Sequence, residues 1–295
     1  MSSDFVDVQS LSIPAPENWL LGATLHENRN PNPNSPVILM SSAAGVPQGY
    51  YENFCIHLVE QGAHAVLSYD YRGMSKSAGD RNRWAELRMF HWAEHDFAAA
   101  AHYLKSRYGQ RPMVGMGHSF GGQALGMSGV SGLFERYCTV ATMSGYWRDL
   151  DTPYSVWIKT QLIGRPLANL LGYIPKRMGL GDTFPGKVFL DWATWINDPH
   201  YWFQKQDVPG LENYEKVTLP FLSIGLKDDP WGTVKAIGSF MKYYKSAQMT
   251  QITLDPTDSG TVGHLGFFRK RHQEYHWPVA TDFLLNGTLP PDTTG

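Results

Sequence analysis

Apolar and polar positions alternate through residues 5–13 and again through 19–26, with Pro14 and Pro16 between the two stretches. A period of two marks a half-buried strand, and prolines are tolerated at a sheet edge, so the pattern predicts an antiparallel pair at an edge. Residues 28–36, NRNPNPNSP, are a loop by composition. Residues 37–40 form a wholly apolar run that ends in the small residues SSAAG, as expected of a strand buried on both faces. A helical pattern follows over 50–61, then a strand over 64–69, a turn at Asp70–Gly73 and a long amphipathic stretch over 90–108. Short apolar strands are expected at 112–116 and 138–143.

Beyond Met143 the texture changes. Residues 146–206 are aromatic, interrupted by proline and glycine, and without strand alternation, and they hold five of the ten tryptophans. Alternation then resumes with a strand at 221–226, a helix at 233–244, a strand at 250–254 and a last helix at 273–285. Strands alternating with helices of these lengths predict an α/β fold with a mostly parallel central sheet and flanking helices. The expected organisation is a core of residues 1–145 and 207–295, with 146–206 as a helical cap inserted above the sheet.

The stretch Gly117-His-Ser-Phe-Gly121 contains G-x-S-x-G between an expected buried strand and an expected helix. A serine on such a strand-to-helix turn is held in strained backbone geometry that lifts its Oγ above the sheet, and glycines two residues away relieve the crowding. The helix that follows points its first amides at the oxygen that turns negative in acyl transfer. Ser119 is therefore the candidate nucleophile. A base should follow it in the chain, and of the later histidines His264 lies in a glycine-flanked loop between the last strand and the last helix. The acid that orients this base should sit just past the carboxyl end of a strand. The strand at 221–226 runs into Asp228 and Asp229, of which only one can face His264.

These residues resemble the α/β-hydrolase superfamily over nearly the whole chain. GHSFGG resembles its nucleophile elbow, DYRGMSKS its D-x-R-G-x-x-x-S turn, GLKDD its G-x-x-D acid strand and GHLGFF its histidine loop. More narrowly, AAGVPQGYY, LGYIPKRMGLG and DWATWINDPHYW resemble a branch of uncharacterised predicted serine hydrolases. The resemblance implies a Ser119–Asp228–His264 triad, the G-x-x-D pattern favouring Asp228 over Asp229. It also implies an oxyanion hole made by the amide of Phe120 and, by the position of Gly45, that of Val46. His118 reads as a packing residue. The implied activity is hydrolysis of a carboxylic ester through an acyl-enzyme, with acyl transfer on the same triad and a non-catalytic ligand-binding role left as alternatives. The cap aromatics, with Leu162, Leu167 and Leu171, suggest an apolar roof over the serine.

Composition narrows the partners. Twenty-five basic and twenty-seven acidic residues give a net charge of -2, so nothing favours nucleic acid or an anionic membrane. No run of about eighteen apolar residues occurs, and residues 1–19 lack a basic and apolar signal region, so a cytoplasmic location is expected. Cys55 and Cys138 read as two buried thiols. The expected partner is a small-molecule substrate, with no metal or organic cofactor implied. The oligomeric state stays open, a homodimer included.

Overall fold

The computed structural model describes residues 5–288. In chain order it begins with strands β1 (Val6–Ala15), β2 (Trp19–Asn28) and β3 (Val37–Ser41), helix α1 (Glu52–Glu60) and strand β4 (Ala65–Tyr69). Helix α2 (Ala98–Tyr108), strand β5 (Met113–His118), helix α3 (Phe120–Met127) and strand β6 (Arg136–Val140) follow. Then come helices α4 (Pro153–Trp157) and α5 (Arg165–Leu171), two-residue strands β7 (Tyr173–Ile174) and β8 (Phe184–Pro185), and helix α6 (Gly186–Trp195). The chain closes with β9 (Pro220–Leu226), α7 (Val234–Met241), β10 (Gln248–Leu254), α8 (Gly263–Gly266) and α9 (Gln273–Asn286).

Eight strands form one sheet in the order β1-β2-β4-β3-β5-β6-β9-β10. The β1–β2 and β2–β4 pairs are antiparallel and all other pairs are parallel. The edge pair falls where the proline-separated alternation predicts it. The largely apolar strands β3, β4 and β5 are buried along their whole length, because helices cover both faces of the sheet. One face is packed by α1 and α9, where Phe54 meets Trp277 edge-on at 5.1 Å. The other is packed by α2, α3 and α7 through Leu104, Leu125 and Phe240. Each buried aromatic of this kind removes about 150–250 Å² from water, an upper bound of roughly 4–6 kcal/mol per ring.

Register sets the site. Ser41 pairs with Gly117, His118 with Val140, and Val140 with Ile224, so the carboxyl ends of β3, β5, β6 and β9 finish along one edge. Every segment that follows these ends therefore emerges on the same side, where sites of parallel α/β sheets assemble.

Between β6 and β9 the chain builds α4, a π-helical stretch over Ile158–Gly164, α5, the β7–β8 pair and α6. The small antiparallel pair and the π-helical turn are absent from the sequence reading, since two-residue strands leave no periodicity to detect. A backbone hydrogen bond and a side-chain ion pair tie this segment to the core: the Asp182 N–H donates to Gly45 O at 2.6 Å, and Arg88 Nε donates to both Asp191 oxygens at 2.9 Å. Among the described residues no helix is long and apolar enough to cross a membrane.

Candidate active site

Ser119 stands between β5 and α3 with φ 50° and ψ -110°, a backbone conformation that L-residues avoid. The turn survives because its neighbours are bare. A Cβ on Gly121 would lie 2.1 Å from Ser41 O, and one on Gly117 would lie 2.5 Å from Gly122 N. The Ser119 N–H donates to Val140 O at 2.9 Å and Thr142 Oγ1 donates to Ser119 O at 2.9 Å, which fixes the strained peptide from both sides.

His264 is the second residue of the short helix α8, at the end of the segment that follows β10, and its Nε2 lies 3.2 Å from Ser119 Oγ. Its Nδ1 lies 2.8 Å from Asp229 Oδ2. The aspartate facing the histidine is therefore Asp229 and not Asp228, a correction to the sequence reading. The turn after β9 supplies the reason. The Asp229 N–H bonds back to Leu226 O at 3.1 Å, which swings the Asp229 side chain towards the sheet edge. Asp228 is engaged elsewhere: its Oδ2 accepts the Val262 N–H at 2.7 Å and the Gly263 N–H at 3.0 Å, holding the histidine loop by its backbone.

Asp229 is fully buried, and burial alone would raise its carboxyl. The adjacent His264 charge and hydrogen bond, with the amides of Gly232 and Trp231, outweigh burial and hold the group below its ordinary value. Gly232 must be bare for this, since a Cβ there would lie 2.4 Å from Asp229 Oδ2.

Phe120 and Ala44 both line the serine's cavity, and among the described residues neither backbone N–H has an acceptor. The Phe120 N–H heads α3, where the first N–H groups have no acceptor within the helix. The Val46 N–H, expected as the second donor, is engaged in a turn with Ala43 O at 3.1 Å. Among the described residues nothing accepts the Ala44 N–H, and Ala44 lines the cavity. Gly45 takes φ 77°, and the turn around it leaves the Ala44 N–H free where the motif count points to Val46, two residues later. This loop is pinned from below by the Gln48 N–H, which donates to Asp70 Oδ1 at 2.8 Å.

A cavity of about 280 Å³ opens over Ser119. Apart from Ser119, His264 and Gln123, its walls are apolar or aromatic, with Trp92, Leu180, Phe184, Val188, Trp192 and Trp231 prominent. Trp192 stacks on Trp231 at 5.9 Å, joining α6 to the loop that carries Asp229. Leu162, Leu167 and Leu171 do not line it, and Leu162 is 59% exposed on the outer face, so the roof expected from these leucines is made instead by residues 180–201.

Glu17, His91 and His95 bring three potential metal-ligand atoms within 4.8 Å. None of them lines the Ser119 cavity, and the Arg72 guanidinium sits on Glu17 Oε2 at 2.7 Å, so the group is read as part of the charge network around Arg72. Cys55 and Cys138 are both buried and unbonded to each other.

A family model described as the alpha/beta hydrolase family matches residues 37–274. No curated protein sequence matches the chain. Among solved structures, a soluble variant of monoglyceride lipase from Saccharomyces cerevisiae is similar, at 14% identity and TM-score 0.71, covering 98% of this chain and 97% of that one. A carboxyl esterase from Bacillus coagulans is similar at 16% identity and TM-score 0.62, covering 95% and 98%. An esterase from Pyrococcus furiosus is similar at 14% identity and TM-score 0.60, covering 94% and 91%. At such identities the likeness is one of fold.

Proposed function

The chain belongs to the α/β-hydrolase family, and from that premise we propose that it is a serine hydrolase that cleaves a carboxylic ester of a small, apolar substrate. The observation that carries the reading is the file Ser119 Oγ–His264–Asp229, at 3.2 and 2.8 Å, opening into an apolar cavity beside two unengaged amides.

In this reading Ser119 Oγ attacks the ester carbonyl while His264 Nε2 takes its proton. Asp229 holds the Nδ1–H tautomer and stabilises the imidazolium without itself taking up the proton. The Phe120 and Ala44 amides hold the oxyanion. His264 then delivers the proton to the departing alkoxide, and a water activated by the same nitrogen attacks the acyl-enzyme and releases the acid. The apolar walls favour a hydrocarbon acyl or alcohol group and exclude water around it. The proposed substrate is thus a small uncharged ester.

Turnover of p-nitrophenyl esters of two to twelve carbons by wild type, Ser119→Ala and His264→Ala tests this. The reading requires turnover in wild type and its loss, by three orders of magnitude or more, in both variants at unchanged thermal stability. Ester turnover that survives Ser119→Ala would refute it.

A further inference from the structure

Two fully buried side chains beside the triad, Tyr51 and His118, are used by neither the acid–base file nor the oxyanion amides. They form one directed chain of hydrogen bonds between the two loops that must be in register for acyl transfer. The Ala43 N–H donates to Tyr51 Oη at 2.9 Å. Tyr51 Oη lies 2.8 Å from His118 Nδ1, and His118 Nε2 lies 2.9 Å from His264 O.

The directions follow from the ends. A carbonyl oxygen only accepts, so His118 carries its proton on Nε2 and donates to His264 O. The neutral ring then offers Nδ1 as an acceptor, and Tyr51, whose oxygen already receives the Ala43 N–H, turns its own hydrogen onto it. Each of the three groups is satisfied in one arrangement only. Burial, reinforced by the neighbouring His264 charge, pushes the His118 pKa down to about 3 and keeps the ring in the neutral form that this arrangement needs.

We infer that Tyr51 and His118 are a positioning pair that sets the second oxyanion amide, at Ala44, in register with the base, His264. The inference rests on the serine-hydrolase reading above. His118 precedes Ser119 in the chain, so the same pair ties nucleophile, oxyanion loop and base into one rigid unit. Asp228 holds the Val262 and Gly263 amides and makes no bond to the oxyanion loop. Tyr50, whose Oη donates to Leu265 O at 2.6 Å, meets that loop only through its N–H on Pro47 O at 3.0 Å, beyond the Ala44 amide. Among the described hydrogen bonds the Tyr51–His118 path is the one that runs from His264 to Ala43, the residue next to that amide.

A pair of this kind acts on the transition state and leaves ground-state binding alone, because the oxyanion and the imidazolium form only after attack. Tyr51→Phe keeps the ring and removes the one side-chain oxygen in the path. With a p-nitrophenyl ester as substrate, it should lower kcat by about 10- to 100-fold, a fraction of what loss of an oxyanion donor costs, with KM within about twofold. Affinity for n-butylboronic acid, whose tetrahedral adduct on serine mimics the intermediate, should fall by the same factor as kcat/KM. His118→Phe should do likewise, and the double variant should be no worse than the poorer single one, since the two act as a unit. Tyr50→Phe removes a bond on the same histidine loop and should leave boronate affinity within about twofold.

Unchanged kcat in Tyr51→Phe would overturn the inference while leaving the hydrolase reading intact. So would losses in the single variants that multiply in the double, or an equal loss of boronate affinity in Tyr50→Phe. If His118→Phe fails to fold, Tyr51→Phe against Tyr50→Phe decides alone. Wild-type protein without Ser119-dependent turnover would overturn both readings together.

Discussion

Two neighbouring carboxylates carry out different tasks at this site. Asp229 meets the imidazole of His264, and Asp228 grips the amides of Val262 and Gly263 on the same loop. Substitution should separate them. Asp229→Asn presents an amide that cannot hold the required tautomer, so kcat for ester hydrolysis should drop by roughly 10⁴. Asp228→Asn keeps an oxygen able to accept both amides, so its kcat should stay within about tenfold of wild type. The reverse order in a kinetic comparison would place the acid at Asp228. The serine and histidine were legible in the sequence because glycine spacing and chain order are local signals. The choice between Asp228 and Asp229, and between Ala44 and Val46, was not. Each depends on a single turn, the Asp229 N–H to Leu226 O bond in one case and the Val46 N–H to Ala43 O bond in the other. A difference of one or two residues in where a strand gives way to a turn is invisible to motif counting.

At the level of elements, the nucleophile turn is the part with least freedom. α3 approaches β3 so closely that Gly121→Ala would press a methyl onto the Ser41 carbonyl at 2.1 Å, where no flexible side chain can yield. That variant should lose activity and several degrees of thermal midpoint or fail to accumulate, as read by thermal unfolding. The roof is more forgiving. Trp192 lies on α6 and lines the cavity, so Trp192→Ala should shift the ester chain-length optimum upward while retaining turnover of short esters. A chain-length profile unchanged by that substitution would remove α6 from substrate selection. The strands and long helices of the core followed the alternation and apolar runs closely. The segment between β6 and β9 did not, because its aromatics pack on one another and on core residues such as Trp231 and Phe240 without a fixed period. Its leucines at 162, 167 and 171, grouped with the roof by composition, turn away from the cavity on the α4–α5 stretch.

The whole molecule carries a pH signature. Eight of its eleven histidines, His118 among them, are shifted below their ordinary value chiefly by burial. As pH falls below about 6.5 the unfolded chain takes up protons that the folded chain refuses, so the stability these groups supply above that pH is lost progressively. For a fully buried ring such as His118 the slope is up to about 1.4 kcal/mol per pH unit. Four carboxyls that burial shifts upward, Asp70, Glu94, Asp96 and Asp191, work in the opposite direction but are fewer. The thermal midpoint should therefore decline from pH 7.5 to pH 5.5, and a flat or rising profile would contradict the assignment of neutral buried histidines. The net charge of -2 and the doubly covered sheet were both consequences of composition and pattern. The protonation balance was not, since it depends on which histidines the fold buries.

The proposed chemistry begins at one oxygen atom, Ser119 Oγ. The most direct test treats the folded protein with a fluorophosphonate probe and locates the adduct by peptide mass spectrometry. The account predicts one adduct per chain, on Ser119, formed rapidly in wild type and at least a hundredfold more slowly in His264→Ala and Asp229→Asn. An adduct on another residue, or none in protein that is demonstrably folded, would contradict it.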